Sequence, residues 1–336
     1  MSTHGNRRGL TASVAGLALS AAVLTPPAQA QIQPERVYYG IDRPVEMRVQ
    51  APAGEPGELA IALFDPAGTE PIASASVAAG RVDLAGLFPS LWKPGAPRVR
   101  YAQLLADQHR VGPPVVLQML TTPSHAVADP STGRVFFKDL PETVSGLRAY
   151  PDRLVVFETD KGPITFRMRP DQAPNTVWNF LQLVEGGFYT DIIFHRILPT
   201  GRDGYPFVVQ VGDPTGTGSG GPGYFIDLEP SKLPHDFGVL SMARSSDPNS
   251  GGSQIFICLS RQATRHLDGA YTSFAEAVSG ADVIRAIQNV ELADERAGKP
   301  RTPPRIVSAR LEDAPPFGQG PAPLSASPSK TKPIDR

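Results

Sequence analysis

The sequence predicts a mainly β protein with two domains, and three observations support this fold class. The 36 prolines and 32 glycines of the chain together exceed the usual share of about one residue in eight, which indicates many turns and extended segments. Short apolar runs recur between turn-forming residues, as in proteins built from short strands. The length of 336 residues is sufficient for two ordinary domains.

The charge balance of the chain is close to neutral. It has 32 Lys and Arg against 33 Asp and Glu, which gives a formal net charge of -1. A chain of this kind has no excess of positive charge with which to follow a phosphate backbone. We therefore expect no nucleic-acid partner for this protein.

Residues 1–30 have the pattern of an export signal. Arg7-Arg8 precedes an apolar run from Leu10 to Leu24, and Ala28-Gln29-Ala30 is a small-x-small cleavage pattern. Cleavage there would leave a periplasmic or secreted chain that begins at Gln31 and has no stable membrane span. A membrane anchor is the alternative, but a run of roughly 15 residues is short for a bilayer span of about 20. The paired arginines leave both the general secretory route and the twin-arginine route open.

Cys258 is the only cysteine, so the chain cannot form an intramolecular disulfide. It lies in the apolar run from Ile255 to Leu259, which predicts a buried thiol. A nucleophilic role is the alternative, but no charged residue in that run would lower the pKa of the thiol. The mature protein must therefore be held together by its core, which a chain of this length can supply.

Residues 31–125 are predicted to form a β-sandwich-like domain. Their apolar runs are short and are separated by turn residues such as Asp65-Pro66-Ala67-Gly68, a spacing typical of a sandwich. No catalytic or ligand-binding residue types concentrate here, so we interpret this domain as a binding or spacer module of unknown role. Residues 126–150 are predicted to be a linker, and the proline-rich residues 314–336 a disordered tail.

A second domain is predicted over residues 151–313. It opens with two β runs, Leu154 to Thr159 and Ile164 to Met168, and the short turn between them contains Gly162, which predicts a hairpin. An amphipathic helix is predicted from Pro174 to Val184. Its apolar residues recur at helical spacing, and two glycines lie just past its end.

Five short motifs follow in the second domain. They are Phe194-His195-Arg196-Ile197, Gln210-Val211-Gly212-Asp213-Pro214, Gly238-Val239-Leu240-Ser241-Met242-Ala243, Gly252-Ser253-Gln254-Ile255-Phe256-Ile257 and Leu267-Asp268-Gly269. In this order they resemble the cyclophilin family of peptidyl-prolyl cis-trans isomerases, over a segment from about Leu154 to Glu312. The resemblance implies the activity of that enzyme class. It also implies a closed eight-stranded β-barrel capped by two helices, the second at Asp282 to Val290.

Arg196 is the candidate catalytic residue, because an arginine is rarely found among the apolar residues of a strand unless it has a charge partner or a function. Rotation about an Xaa-Pro amide is opposed by a resonance barrier of about 18–20 kcal/mol. In the twisted transition state the prolyl nitrogen gains a localised lone pair, which the planar ground state lacks. A cationic donor aimed at that nitrogen therefore stabilises the transition state and not the substrate. An ordinary structural ion pair is the alternative role for Arg196.

The resemblance also assigns the residues around Arg196. It implies that Gln210 orients Arg196 and contacts the substrate backbone, although ordinary strand-edge polar roles remain the alternative for Gln210 and Gln254. No proton is transferred and no bond is broken, so neither a metal nor an organic cofactor is expected. The expected partners are proline-containing unfolded or flexible polypeptides, bound by a monomer. The residues implied to line the proline pocket are Phe207, Val208, Phe256 and Leu267, with Ala243, Arg244, Gln254 and Tyr271 beside them.

Two neighbouring features are given structural interpretations. Alternation along a strand points His195 to the face opposite Arg196, so we interpret it as a structural histidine with satisfied hydrogen bonds rather than a catalytic base. The run Gly216 to Gly221 matches the G-x-G-x-x-G pattern of dinucleotide sites, but Pro222-Gly223 would break the helix that such a site needs. We therefore predict a surface loop that borders the substrate groove.

The sequence departs from the family pattern at the edge of the predicted pocket. His266 stands where many members have a tryptophan, Tyr271 where histidine is common, Val208 where methionine is frequent and Ile255 where phenylalanine is frequent. These changes keep the pocket apolar but can alter its width and its preference for the residue before proline. The insertion from Thr200 to Pro206 lengthens the loop that precedes Phe207 and could displace that side chain from the pocket.

Two functions of different class are compatible with these features. The first is an exported isomerase that speeds prolyl steps in the folding of envelope proteins. The second is a low-activity, cyclophilin-like peptide-binding or scaffold protein of the cell envelope, in which the N-terminal domain supplies the partner. The presence of Arg196, Gln210 and Phe256 favours the isomerase.

Overall fold

The computed structural model describes Met1 and residues 31–54, 57–93, 98–201 and 203–324. The predicted export signal lies, apart from Met1, outside the described residues. Within these ranges, no helix is long and apolar enough to cross a membrane.

Strands dominate the described part of the chain, which confirms the prediction of a mainly β fold. The helices are α1 (Leu84–Leu87), α2 (Pro174–Glu185), α3 (Arg261–Thr264) and α4 (Ala281–Gln288), and 3-10 helices span Pro89–Trp92 and Arg265–Leu267. The strands are β1 (Gln31–Pro34), β2 (Tyr38–Gly40), β3 (Glu46–Gln50), β4 (Leu59–Phe64), β5 (Ala73–Ser76), β6 (Gly80–Asp83), β7 (Val99–Ala106), β8 (His109–Thr121), β9 (Ala126–Ala128), β10 (Val135–Phe137), β11 (Val144–Pro151), β12 (Arg153–Thr159), β13 (Gly162–Met168), β14 (Ile192–Ile193), β15 (Arg196–Leu198), β16 (Val208–Val211), β17 (Val239–Met242), β18 (Ile255–Cys258), β19 (Ser273–Ser279), β20 (Leu292–Asp294), β21 (Lys299–Pro300) and β22 (Arg305–Asp313).

Two antiparallel sheets are built from the N-terminal strands. One has six strands in the order β2-β11-β8-β7-β4-β5, and the other has three in the order β1-β3-β6. Their buried side chains share one hydrophobic cluster, to which the small sheet contributes Ile32 and Met47 and the large sheet contributes Leu63 and Leu117. Two sheets stacked over a shared apolar layer have the arrangement of a sandwich. That residues 31–125 form a separate domain stays a prediction.

The central strands of the six-stranded sheet are buried on both faces, unlike its edge strands β2 and β5. A sheet of an ordinary sandwich has one solvated face. Every residue of β4 is buried. Ile61 and Leu63 pack with the three-stranded sheet, whereas Ala62 and Phe64 belong to a cluster that continues into the C-terminal core. Successive side chains of a strand point to opposite faces, which accounts for this division. The six-stranded sheet is therefore a middle layer of the protein.

The prediction of a linker over residues 126–150 is wrong at its C-terminal end. Strand β11 lies inside the six-stranded sheet, between β2 and β8, and its Leu147 and Ala149 are fully buried. Gly146 and Arg148 interrupt the apolar pattern of this strand, so local composition alone does not reveal it. The first part of the predicted linker contains the two-stranded hairpin of β9 and β10.

The C-terminal strands form one nine-stranded sheet in the order β14-β22-β12-β13-β19-β17-β18-β16-β15. Only Phe194 and His195 separate the two edge strands along the chain, so the edges lie within about 11 Å of each other and the sheet is rolled. Its interior is filled by large buried side chains, among them Phe157, Phe166 and Phe274. The closed eight-stranded barrel stays a prediction, because the hydrogen-bonded order has nine strands and two ends.

Both predicted helices are present at the rolled sheet. Helix α2 has Pro174 in its first turn, where a missing N–H removes no helical hydrogen bond. The buried carboxylate of Glu229 accepts hydrogen bonds from the backbone N–H groups of Asn175 and Thr176 at 3.1 and 2.7 Å. This carboxylate therefore satisfies donors that the helix itself leaves unpaired. Helix α4 begins and ends within two residues of the predicted second helix.

The prediction of a disordered tail from Ala314 is wrong for residues 314–324. The ring of Phe317 lies 4.7 Å from the ring of Phe64 and 4.8 Å from that of Tyr101, measured between centroids. Further along, the backbone N–H of Leu324 donates to the carbonyl of Ala277 at 2.8 Å. The tail therefore connects the six-stranded sheet to the nine-stranded sheet. Its prolines suggested disorder, but the packing of the Phe317 ring against two other aromatic rings outweighs composition here. Residues 325–336 lie outside the described ranges.

Candidate active site

A row of polar and aromatic side chains crosses the outer face of the rolled sheet. Antiparallel pairing places Arg196 of β15 opposite Gln210 of β16, Gln210 opposite Phe256 of β18, and Phe256 opposite Ser241 of β17. Side chains alternate along a strand, so the intervening apolar residues point into the core. Three of the predicted site residues are thus brought together by strand register alone.

Arg196 is exposed and loosely held. Its Nη1 donates to Gln210 Oε1 at 3.5 Å, the long limit of a hydrogen bond. In the described part of the chain it forms no ion pair with a carboxylate. The alternative of a structural ion pair therefore has no support in these residues. Most of the five N–H donors of the guanidinium remain free for a ligand.

Gln210 is fixed from its other side by Gln254. The amide Nε2 of Gln210 donates to Gln254 Oε1 at 2.8 Å. In turn, Gln254 Nε2 donates to the carbonyls of Gly218 and Gly220 at 3.0 and 2.8 Å. The two glutamines therefore connect the candidate catalytic arginine to the loop that starts after β16. The side-chain amides of both glutamines therefore have defined hydrogen-bond partners, which an ordinary solvent-facing residue at a strand edge would lack.

An apolar cluster lies beside this row and is separate from the core of the sheet. Val208, Phe256 and Leu267 are buried in it, and Phe207, Ala243 and Tyr271 pack against it partly exposed. The buried remainder of the cluster is Leu233, Val239 and Cys258. The structure therefore brings together the residues predicted for the proline pocket. A partly exposed group of this kind provides a dry seat for a small apolar ring.

The insertion from Thr200 to Pro206 does not displace Phe207 from the apolar cluster. Among its described residues, the N–H of Gly201 donates to the carbonyl of Tyr205 at 2.6 Å. The chain is tied down again where Ser260 Oγ donates to the carbonyl of Pro206 at 2.6 Å. Phe207 then stacks on His266, with ring centroids 5.7 Å apart and planes 15° apart.

Arg244 and Tyr271 form the edge of the apolar cluster. The guanidinium carbon of Arg244 lies 4.5 Å from the ring centroid of Tyr271, a cation–π contact. Arg244 Nε also donates to the carbonyl of Ala270 at 3.0 Å. Tyr271 meets Phe256 edge-on at 5.7 Å. The arginine is thereby held at the boundary between the cluster and the neighbouring groove.

A groove of about 740 Å³ opens next to the apolar cluster. One wall contains Gln210, Ala243, Arg244 and Gln254, and the other is the loop from Gly218 to Phe225. The prediction that the glycine-rich run Gly216 to Gly221 borders the site therefore agrees with the geometry.

Asp213 gives the glycine-rich loop its shape. Its Oδ1 accepts from the backbone N–H and hydroxyl of Thr215, both at 2.7 Å, and Oδ2 accepts from the N–H of Gly218 at 2.5 Å. Burial acts to raise the pKa of Asp213, but these hydrogen bonds hold it below the usual range. A Cβ at Gly220 would collide with this carboxylate, so glycine is required there. The carbonyls of Gly218 and Gly220, which accept from Gln254, are therefore held in fixed positions.

His195 is half-buried, and the prediction of satisfied hydrogen bonds is wrong for it. Neither ring nitrogen has a hydrogen-bond partner among the described residues. Burial lowers its pKa, although Asp213 acts in the opposite direction. The ring is therefore neutral at physiological pH, and it lies beside Gly218 rather than beside a proton acceptor. A packing role for His195 remains the simpler interpretation.

His235 was not singled out from the sequence, and it supports the floor of the apolar cluster. Its ring stacks under Phe256 at 6.1 Å, with planes 16° apart. Nδ1 lies 2.9 Å from Asp268 Oδ1, and Nε2 lies 2.9 Å from Ser241 Oγ. Burial lowers the pKa of His235, although Asp268 acts to raise it. A histidine shortly before the motif strand β17, which carries Ser241, is the only local signal, because the other partner, Asp268, is distant in sequence.

Cys258 is fully buried in the apolar cluster, as predicted. Burial raises the pKa of its thiol well above the ordinary value, which disfavours the thiolate. Across the described ranges, no group of three or more His, Cys, Asp or Glu is placed to hold a metal ion.

Comparison with known proteins matches the same part of the chain. A family profile described as cyclophilin type peptidyl-prolyl cis-trans isomerase/CLD matches residues 154–311. A "Peptidyl-prolyl cis-trans isomerase" of Synechococcus elongatus is 43% identical over 136 residues, which are 40% of this chain and 88% of that protein. "Peptidyl-prolyl cis-trans isomerase B" of Bacillus subtilis is 41% identical over 138 residues, 40% of this chain and 90% of that protein.

Among solved structures, a crystal structure of a Cryptosporidium parvum cyclophilin type peptidyl-prolyl cis-trans isomerase is similar. It is 32% identical, with a TM-score of 0.43, and the match covers 48% of this chain and 99% of that one. The profile begins at residue 154, so the N-terminal sheets lie outside the matched segment. Since relatives above 40% identity are matched over most of their length, the chain belongs to the cyclophilin family of peptidyl-prolyl cis-trans isomerases and is an isomerase enzyme.

Proposed function

We propose that this protein accelerates Xaa-Pro isomerisation during the folding of exported proteins, with Arg196 as the donor to the prolyl nitrogen. The observation that carries the proposal is the position of Arg196. It lies in register with Gln210 and Phe256 beside the apolar cluster, without a carboxylate partner in the described residues. An exposed, unneutralised cation next to a dry pocket is suited to meet a developing lone pair.

The mechanism requires only a twisted amide and a donor. Resonance opposes rotation by about 18–20 kcal/mol, and it is lost as the C–N bond turns. The prolyl nitrogen then becomes an acceptor, and an N–H of Arg196 donates to it. The planar substrate offers no such acceptor, so the hydrogen bond forms in the transition state alone and lowers the barrier.

Gln210 and Gln254 act as positioning residues in this proposal. Gln210 Oε1 limits where the guanidinium of Arg196 can lie, and Gln254 holds the Gln210 amide in place. The glycine carbonyls of the loop fix Gln254 in turn. Because the first of these contacts is long at 3.5 Å, the arginine can move onto the substrate without breaking a strong bond.

The apolar cluster supplies the seat for the proline ring. Phe256 and Leu267 are 6% exposed and form its floor, while Val208 and Phe207 form a wall. Ala243 is small, and it leaves room where the groove meets the cluster. Burial of the ring fixes the proline while the preceding carbonyl rotates, which is the positioning that the reaction needs.

The export of the chain is part of the same proposal. Every described strand of the two N-terminal sheets lies after Ala30, so removal of residues 1–30 would remove none of these strands. We expect the mass of the protein isolated from the cell envelope to match a chain that begins at Gln31. Retention of residues 1–30 would contradict cleavage, and sensitivity of export to an Arg7→Lys, Arg8→Lys pair would identify the twin-arginine route.

The catalytic proposal is tested with short Xaa-Pro peptides and the Arg196→Ala variant. Loss of a charge-assisted hydrogen bond in the transition state should lower kcat/KM roughly ten- to thousandfold. Arg196→Lys keeps the charge and should retain part of the activity, since it loses the fork geometry. Arg301→Ala is the matched control, because Arg301 is an exposed arginine paired with Glu291. An Arg196→Ala variant with full activity would contradict the mechanism.

A low-activity scaffold is the second candidate, and the altered pocket edge favours it. His266 stacks on Phe207, and the guanidinium of Arg244 lies over the ring of Tyr271, so both substituted residues occupy the edge where a peptide would enter the pocket. A scaffold would bind proline peptides at the cluster without accelerating their exchange. Binding without turnover in the wild-type protein would therefore support this candidate over the isomerase.

A further inference from the structure

The groove beside the apolar cluster has a positive charge that its own lining does not balance. Among the described residues that line it, Arg244 is the only one with a charged side chain. The opposite wall, from Gly218 to Phe225, consists of glycines, a serine, a proline and two aromatic residues. A concave site with charge of one sign attracts ligands of the opposite sign. The groove therefore favours an anionic group, although the chain as a whole has a formal net charge of -1.

Arg244 is held in place by neutral groups. Its Nε donates to the carbonyl of Ala270 at 3.0 Å, and its Nη1 donates to the carbonyl of Ser245 at 2.9 Å. Asp227 lines the small cavity on the other side of Arg244. Neither Asp227 nor any other carboxylate in the described part of the chain forms an ion pair with this arginine. The charge of Arg244 is therefore not neutralised within these residues.

The guanidinium of Arg244 keeps donors for a ligand. Nε and Nη1 have the two carbonyl acceptors, whereas Nη2 has no acceptor among the described residues. At least two of the five N–H groups are thus available. The contact with the Tyr271 ring restricts the side chain before a ligand arrives. A guanidinium fork that is already ordered loses little entropy when it binds the two oxygens of a carboxylate.

Arg244 lies close enough to the proposed proline seat to contact the same bound polypeptide. The ring centroids of Tyr271 and Phe256 are 5.7 Å apart, and the guanidinium carbon of Arg244 lies 4.5 Å from the Tyr271 centroid. The guanidinium carbon is therefore at most about 10 Å from the centroid of Phe256. An extended chain rises about 3.3 Å per residue, so this distance corresponds to about one to three residues. Ala243 connects the two places, because it packs against the apolar cluster and also lines the groove.

We propose that Arg244 selects polypeptides that have a glutamate or an aspartate one to three residues from the proline that is isomerised. The inference rests on the proposed function, because the proline of the same polypeptide is seated in the apolar cluster. The acidic side chain accepts hydrogen bonds from the free N–H groups of Arg244. This ion pair forms equally with the planar substrate and with the transition state, so it lowers KM and leaves kcat nearly unchanged.

The experiment compares pairs of peptides that differ in one side chain. Each peptide contains one Xaa-Pro bond, and glutamate or its neutral isostere glutamine is placed in turn at each of the three positions on either side of the proline. NMR titration gives the Kd of each peptide. At one or more of these positions the glutamate peptide should bind to the wild type about two- to fivefold more tightly, as expected for a partly exposed ion pair. The ratio should approach one in about 0.5 M NaCl.

Substitutions of Arg244 test whether this residue is the source of the preference. Arg244→Gln should bring the ratio of the two Kd values to about one, and Arg244→Glu should reverse it. Arg301→Gln is the matched control and should keep the wild-type ratio, because Arg301 is exposed and paired with Glu291. A general change of affinity in a variant cancels in this ratio, since both peptides are measured with the same protein.

Two results would overturn the role of Arg244. The first is an equal Kd for the glutamate and glutamine peptides at every position in the wild type. The second is a preference for glutamate that Arg244→Gln leaves unchanged, which would assign it to another cation such as Arg196. Failure of the isomerase proposal is separate, because it is seen as absent exchange with every peptide, while the ratio of the Kd values still decides the role of Arg244.

Discussion

Gln103 in the six-stranded sheet and Arg196 in the nine-stranded sheet are both polar side chains on hydrophobic strands. Gln103 is fully buried, and its Nε2 donates to the carbonyls of Val111 and Gly112 at 2.8 and 3.2 Å. Its Oε1 accepts from the N–H of Phe317 at 2.8 Å. Arg196 is exposed and has one long hydrogen bond.

The difference between these two residues separates a structural role from the catalytic role that we propose for Arg196. A buried amide with its donors and acceptor satisfied contributes to one fixed arrangement, and it has nothing left to offer a ligand. An exposed guanidinium with free donors contributes little to stability and is available for chemistry. Substitution of Gln103 should therefore affect folding, and substitution of Arg196 should affect rate.

The largest effect on stability is expected for Gln103→Leu. The change leaves buried carbonyls and the N–H of Phe317 without partners, which should lower the free energy of unfolding by about 2–4 kcal/mol. Urea denaturation measures this loss, and Gln262→Leu on the exposed side of α3 is the control. A change in stability equal to that of the control would show that Gln103 is not the structural residue of this pair.

Phe317→Ala tests whether the tail fastens the two halves of the molecule. Removal of its ring from between Phe64 and Tyr101 should lower the free energy of unfolding by about 2–3 kcal/mol. Hydrogen exchange should increase in β4 and β7 before it increases in the nine-stranded sheet. Uniform destabilisation of both sheets, or none, would contradict a fastening role for the tail.

Gln254→Ala tests the support of Arg196 rather than the arginine itself. Without this amide, Gln210 loses its 2.8 Å partner, and kcat/KM should fall about tenfold, the equivalent of about 1.4 kcal/mol. The free energy of unfolding should change by less than about 1 kcal/mol. If stability falls while kcat/KM is preserved, Gln254 belongs with Gln103 as a structural residue.

The pH dependence of stability extends the comparison to the two histidines near the site. Burial lowers the pKa of His235 and of His195 below the ordinary value of 6.5, so the unfolded state takes up protons first as the pH falls. Stability should be constant above about pH 7.5. Between about pH 6.5 and 5.5 it should fall by up to about 1.4 kcal/mol per pH unit for each histidine.

Thermal unfolding between pH 8 and 5.5 measures this slope. His235→Asn and His195→Asn should each reduce it, because each removes one group that is neutral in the folded protein. A slope that neither substitution changes would assign the acid sensitivity to other groups.

Local patterns in the sequence were sufficient for much of the fold and for most of the site. The helix at Pro174–Glu185 and the hairpin of β12 and β13 depend on spacing within a few residues, and both are present. The residues of the proline pocket were named from motifs in a fixed order, and strand register then brings them together. Their catalytic roles stay a prediction.

Features that depend on long-range contacts were missed for a physical reason. Phe317 binds Gln103, a partner more than two hundred residues away in the chain, and its proline-rich neighbourhood suggests disorder. Strand β11 is hidden by Gly146 and Arg148, although the sheet needs it between β2 and β8. His235 has a recognisable role only when Asp268, which is distant in the chain, is placed beside its ring. Composition does not encode such pairings.

The separate measurement of kcat and KM for Arg196→Ala tests the central claim most directly. Peptide exchange followed by NMR at several peptide concentrations yields both constants. Because the proposed hydrogen bond would form only in the transition state, kcat should fall roughly ten- to thousandfold while KM stays within about twofold. An unchanged kcat with a raised KM would show that Arg196 binds the planar substrate, and would contradict its role as the transition-state donor.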